Sequence, residues 1–108
     1  MLAGGNDYQL VDKALGGSER AWLTLIRRYE KRIYNHALRM TGNPDDAMDI
    51  LQDVMMSAYR NLKSYRQEGS FAAWLFRIAS FRSMDYLRRR RHTFEDSVDE
   101  LPDHQAGA

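Results

Sequence analysis

The chain has no cysteine, only two prolines and seven glycines in 108 residues. Without cysteine there is no disulfide framework, no thiolate zinc site and no thiol nucleophile. So few prolines and glycines leave little material for a turn-rich all-β architecture or for a low-complexity linker. Histidine is also scarce: His36, His92 and His104 are far apart in sequence and offer no metal-binding spacing, and glycine-rich phosphate loops and nucleophile motifs are missing. These gaps argue against an enzyme and against a metal or other cofactor. No apolar run approaches the roughly 18 residues that a spanning helix needs, and Met1 to Asp7 has neither a basic region nor an apolar signal core, so the expected location is the cytoplasm.

What is present is 44% hydrophobic residues, 29% charged residues and a net charge of +1 that conceals blocks of opposite sign. Residues 18–42 carry Arg20, Arg27, Arg28, Lys31, Arg32 and Arg39 against Glu19 and Glu30. Residues 43–58 carry only acids: Asp45, Asp46, Asp49 and Asp53. From Tyr59 to His92 nine basic residues face Glu68 and Asp85, and Glu95, Asp96, Asp99, Glu100 and Asp103 follow as an acidic tail. Segregated charge of this kind suits separate surfaces for separate partners.

Helical periodicity runs through the chain. Tyr8, Val11 and Leu15 predict a first helix over about Asp7 to Leu15, ended by Gly16-Gly17. Ser18 is a suitable N-cap for a second helix in which Trp22, Leu25, Ile26, Tyr29, Ile33, Ala37 and Met40 recur every three or four residues up to Gly42. Asn43 and Pro44 open a third, with Asp45 and Asp46 favouring the positive end of its dipole. Its core stripe is Ala47, Ile50, Leu51, Val54, Ala58 and Leu62, which leaves Asp49, Gln52, Asp53, Met56 and Arg60 on the other side. A polar loop over Ser64 to Gly69 leads to Ser70, the N-cap of a fourth helix from Phe71 to about Arg90, with Phe71, Trp74, Leu75, Ile78 and Ala79 inward. The expectation is an all-α, compact four-helix domain over residues 7–92 and an acidic, loosely ordered linker or tail over 93–108.

Several of these segments resemble one family. Asp49-Ile50-Leu51-Gln52-Asp53-Val54, then Ala58-Tyr59-Arg60 and Tyr65-Arg66, are similar to the pattern of region two, the promoter-melting domain, of bacterial extracytoplasmic-function (ECF) sigma factors. Gly69-Ser70-Phe71, Trp74-Leu75, Arg77-Ile78-Ala79 and Asp85-Tyr86-Leu87-Arg88-Arg89 continue the resemblance at the family's spacing. Ala14 to Trp22 and Tyr29 extend it upstream, so that it covers about residues 7–92. One position departs: Phe81 stands where the family often has asparagine. A full ECF sigma factor also carries a helix-turn-helix domain, and nothing after Arg91 resembles one.

The resemblance implies a transcription-initiation module that docks on core RNA polymerase and captures promoter DNA as its strands part. For docking on the coiled coil of the largest polymerase subunit it points to Gln52 and Asp53, with Asp49, Met56 and Arg60 on the same face. For DNA it points to the loop Ser64, Tyr65, Arg66, Gln67, Glu68 and Phe71 as the pocket for a flipped base of the minus-ten element, since protein can offset the cost of opening strands by stacking and charge. Trp74 has two readings, core residue or base-stacking platform. Arg77 and Arg82 extend a cationic track to Arg88, Arg89, Arg90 and Arg91, a run too dense for helix capping alone and suited to phosphates. A regulator of anti-sigma type is a further partner implied by the family. The competing reading is a sigma-like interaction module that binds a regulator and never touches DNA; it has no need of the arginine-rich helix and its loop.

Overall fold

A computed structural model describes residues 5–65 and 69–99, the last eight of these as backbone. Five α-helices and one 3₁₀ turn follow in order: α1 (Asp7–Leu15), α2 (Glu19–Arg27), α3 (Glu30–Thr41), α4 (Pro44–Arg60), the turn Leu62–Ser64, and α5 (Phe71–Asp99). The described residues contain no strand. The all-α expectation holds, and the helix count rises by one.

The helix starts follow the expected chemistry. Asn6 and Gln9 form a reciprocal capping box at α1, with the Asn6 side chain accepting from Gln9 N–H at 2.9 Å and the Gln9 side chain accepting from Asn6 N–H at 3.0 Å. Ser18 accepts from Ala21 N–H, Asn43 from the N–H groups of Asp45 and Asp46, and Ser70 from Ala73 N–H. Gly42 ends α3 at φ +67°, a left-handed conformation that glycine adopts without a Cβ penalty.

The expected single helix from Ser18 to Gly42 is instead two. Arg28 N–H and Tyr29 N–H reach back only three residues, to Leu25 and Ile26, before Ile33 N–H resumes the four-residue pattern on Tyr29. The cause is tertiary. Arg28 donates to Asp7 at 2.9 Å and to the Gly5 carbonyl, and the Tyr29 hydroxyl donates to the other Asp7 oxygen. Both side chains are thus drawn to the start of α1, and the helix axis breaks between them. Burial, with help from Asp7, pushes the Tyr29 hydroxyl up to about 12.

The break lets α2 lie along α1 while α3 lies along α4, and α5 packs against both α3 and α4. Leu10, Val11, Leu25, Ile26, Ile33, Ile50, Val54, Phe71 and Leu75 fill the core, each worth about 1.5–3 kcal/mol if fully buried. Ala37 of α3, Ala47 and Ala58 of α4 and Ala79 of α5 are wholly buried, and their small side chains permit close approach of the helices. Helix α5 was expected to end near Arg90. It runs to Asp99, past the change to acidic composition, and its 29 residues stretch the chain to 61 × 25 × 22 Å. The remainder of the expected tail, 100–108, lies outside the described residues.

Candidate nucleic-acid interface

Where the turn after α4 meets the first turns of α5, Ser64, Tyr65, Gly69, Ser70, Ala73, Trp74 and Arg77 line an open recess of about 350 Å³. Its floor is aromatic. Trp74 lies 5.5 Å from Tyr65 and 5.6 Å from Phe71 between ring centroids, and Tyr65 meets Phe71 edge-on at 5.7 Å. The Tyr65 hydroxyl donates to the Gly69 carbonyl at 2.6 Å, and Tyr8 of α1 donates to the same oxygen at 3.3 Å. These bonds fix the two ends of the loop against the bundle. Burial foremost, and then Tyr8, raises the Tyr65 hydroxyl to about 12.

A second recess of about 300 Å³ shares the Trp74 and Arg77 wall and continues along Ser57, Ile78, Phe81 and Arg82. Trp74 and Arg77 therefore stand between two depressions on one side of the molecule. Phe81 is 58% exposed there, an aromatic ring beside Arg77 and Arg82.

Phe71, expected among the nucleic-acid contacts, is corrected: at 1% exposure it is a core residue beneath Trp74 and Tyr65, and no base can reach it. Tyr65 is buried too, so it shapes the recess with its ring wall and not with a projecting side chain. Arg66, Gln67 and Glu68 lie outside the described residues.

The cationic track is less uniform than its sequence. Arg77 is exposed beside the recess. Arg82 turns inward to α4, donating to Ser57 Oγ at 3.1 Å and pairing with Asp53 at 3.7 Å. Arg88 and Arg89 pair with Asp85, one turn back on α5. Arg90 reaches the start of α4, donating to Asp46 at 2.8 Å, where the Tyr86 hydroxyl donates to the other Asp46 oxygen at 2.6 Å. Arg90 thus links α5 to α4 while staying largely exposed, and the charge of Arg88 to Arg90 is partly neutralised within the domain. Arg91 is exposed.

On α4, Asp49, Gln52, Met56 and Arg60 are exposed along one face, and Asp53 is partly covered at the edge nearest α5. The ion pair of Asp53 with Arg82 makes that edge the seam between the acidic and cationic sides. Beside Met56 lies a cleft of about 380 Å³ between α2 and α4, with Trp22 and Met55 inside and the exposed Leu23, Met56 and Tyr59 at its mouth. Tyr59 packs on the buried Trp22 ring at 5.4 Å. Sequence reasoning gave Tyr59 no surface role and Asp46 only a dipole role. Nothing in the local spacing pairs Asp46 with a tyrosine 40 residues away.

Phe76 packs on Tyr29 and on His36, which lies 3.4 Å from Ser80 Oγ, so His36 is half-covered. Among the described residues no group of His, Asp or Glu is placed to hold a metal ion, and no helix is long and apolar enough to cross a membrane.

A family model described as sigma-70 region 2 matches residues 25–93. RNA polymerase sigma-H factor of Pseudomonas aeruginosa is 32% identical over 97 residues, covering 90% of this chain and 50% of that protein. ECF RNA polymerase sigma factor SigW of Bacillus subtilis is 33% identical over 75 residues, covering 69% of this chain and 40% of that protein. The chain spans about half, or less, of the length of the curated relatives it matches. The NMR structure of an engineered region 2 of sigmaE in complex with GTAAAA superposes with a TM-score of 0.78 at 28% identity, covering 86% of this chain and 97% of that one. The motifs, the helical order and these matches agree: the chain belongs to the sigma-70 region 2 family, with ECF sigma factors as its relatives.

Proposed function

We propose that this domain is the promoter-melting module of an ECF sigma factor, docking on core RNA polymerase through α4 and capturing an unpaired minus-ten base in the recess beside Trp74. The observation that carries the reading is the recess itself. An aromatic floor, the first turn of a helix and an exposed arginine meet where the chain runs from α4 into α5. Stacking on an aromatic contributes roughly 1–3 kcal/mol per base and the arginine holds the backbone, which together offset the few kcal/mol that extruding a base costs. The sigmaE domain solved with GTAAAA shares this fold.

Gln52, Asp49 and Met56 form the centre of the docking face in this reading, with Tyr59 and Leu23 adding apolar contact at the cleft and Arg60 at the rim. A regulator of anti-sigma type would compete for the same face. A domain that bound only such a regulator would have no use for the recess. The module acts by binding, without catalysis or cofactor, and works in the cytoplasm beside the polymerase. Residues 93–108 serve as the acidic segment that follows the domain proper.

Two measurements test this. In a pull-down with core polymerase, Gln52→Ala should lower recovery while Arg77→Gln leaves it unchanged. In binding to an unpaired oligonucleotide, Trp74→Leu should weaken affinity roughly 5- to 150-fold, the equivalent of about 1–3 kcal/mol. Polymerase binding indifferent to Gln52, together with strand binding indifferent to Trp74, would remove the proposal.

A further inference from the structure

On the opposite flank of the first turn of α5 from the recess lies a groove of about 490 Å³ lined by Arg32, Asn35, Arg39, Ala72, Ala73 and Phe76. We propose that this groove is a second nucleic-acid site, which binds the phosphodiester backbone of the strand whose base occupies the recess. The inference rests on the base-capture reading and adds a path for the strand beyond it.

Arg32, Asn35 and Arg39 stand at three- and four-residue spacing, so one face of α3 presents all three to the groove. None of the six lining residues is acidic, although α3 opens with Glu30, which lies instead in the cleft between α2 and α4. The Arg32 guanidinium sits 4.9 Å from the Tyr29 ring centre and 5.3 Å from that of Phe76. Two aromatic faces hold it in place while its edge remains able to form hydrogen bonds, so little freedom is lost on meeting an anion. Packing on Phe76 would account for Arg32 alone. The last-turn position of Arg39 suits the helix dipole, but that requires a charge and not a seat in the groove. Neither explanation covers Asn35 between them.

Seven residues of helix separate the two arginines by about 10 Å, room for two phosphates of one strand. Ala73 lines both the groove and the recess, so a strand leaving the recess over Ser70 and Ala73 enters the groove directly. The small side chains of Ala72 and Ala73 leave that crossing open, and the amide end of α5 beneath it favours negative charge.

The test compares unpaired oligonucleotides of roughly 4 and 12 nucleotides, lengths within the range of single-strand sites, by fluorescence anisotropy between roughly 50 and 200 mM salt. The proteins are the wild-type chain, Arg39→Gln, the double variant Arg32→Gln/Arg39→Gln, and Trp74→Leu, each checked for an intact fold by circular dichroism. Each lost phosphate contact lowers the salt slope by about 0.7 for single strands. For the long strand the affinity lost across that salt range should therefore shrink about 2.5-fold in Arg39→Gln and about 7-fold in the double variant. The short strand should be unaffected by either and weakened by Trp74→Leu.

A double variant with the wild-type salt slope on the long strand, while Trp74→Leu still weakens binding, overturns the groove and leaves the recess; an acidic protein surface then becomes its better occupant. Equal losses on both strand lengths would also overturn it, by placing these arginines at the recess. A wild-type chain that binds no unpaired strand overturns both readings.

Discussion

Asp46 joins the two longest helices, and replacing it tests how α5 is held. Asp46 is 8% exposed in the first turn of α4, and its carboxylate accepts from Tyr86 and Arg90 of α5. A hydrogen bond to a charged acceptor contributes about 1.5–3 kcal/mol, and the tyrosine supplies that here. The same bond, ahead of burial, raises the Tyr86 hydroxyl above its ordinary range. Arg90 adds about 1 kcal/mol at most, because its side chain is 60% exposed and screened by solvent. The negative charge at the helix start adds about 0.3–1 kcal/mol. Asp46→Ala should therefore destabilise the domain by about 2–4 kcal/mol, read as a fall of roughly 10–25 °C in melting temperature at neutral pH. Tyr86→Phe should cost about 1.5–3 kcal/mol, and the double-mutant cycle should show coupling of similar size. Thermal or urea unfolding of the four proteins measures all of this. An Asp46→Ala protein within about 0.5 kcal/mol of wild type, with additive effects in the cycle, would refute the reasoning, since that is the scatter of ordinary surface changes.

Ser83 is wholly buried in α5 and its hydroxyl has no hydrogen-bond partner among the described residues, so Ser83→Ala should raise stability by about 1 kcal/mol in chemical unfolding. Tyr29 and Tyr65, each raised from 10.0 to about 12, contribute stability that is complete below pH 10 and is lost as pH climbs toward 12, because the unfolded tyrosines ionise first. The stability advantage of wild type over Tyr29→Phe should thus shrink between pH 10 and 12, and an advantage constant with pH would contradict the assignment.

Much of the fold was legible because it is written in short-range chemistry. Asn43-Pro44 and Ser70 placed the starts of α4 and α5, and the stripe from Ala47 to Leu62 is buried as its spacing requires. The break between Arg28 and Tyr29 was not legible. The apolar period continues through it without glycine or proline, and its cause, Asp7, lies 21 residues upstream of Arg28. Local patterns carry no information about such a contact.

The site divided the same way. Gln52 and Met56 are exposed as the helix period demands, and Ser64, Tyr65, Gly69 and Ser70, at the two ends of the loop, line a recess with Arg77. Phe71 was assigned to two incompatible places, the core stripe and the nucleic-acid contacts; packing settles it as core. Arg77, Arg82 and the run Arg88 to Arg91 were read as one cationic track because sequence shows charge and not its partners. Asp46, Asp53 and Asp85 supply those partners, two of them from another helix.

The most direct test of base capture is an NMR titration of the isotopically labelled chain with an unpaired oligonucleotide. With a base held in the recess, the Trp74 indole N–H and the backbone amides of Gly69, Ser70 and Ala73 should shift together, while those of Gln52 and Met56 on the α4 face stay still. Shifts confined to the α4 face, with Trp74 and its neighbours unmoved, would contradict base capture.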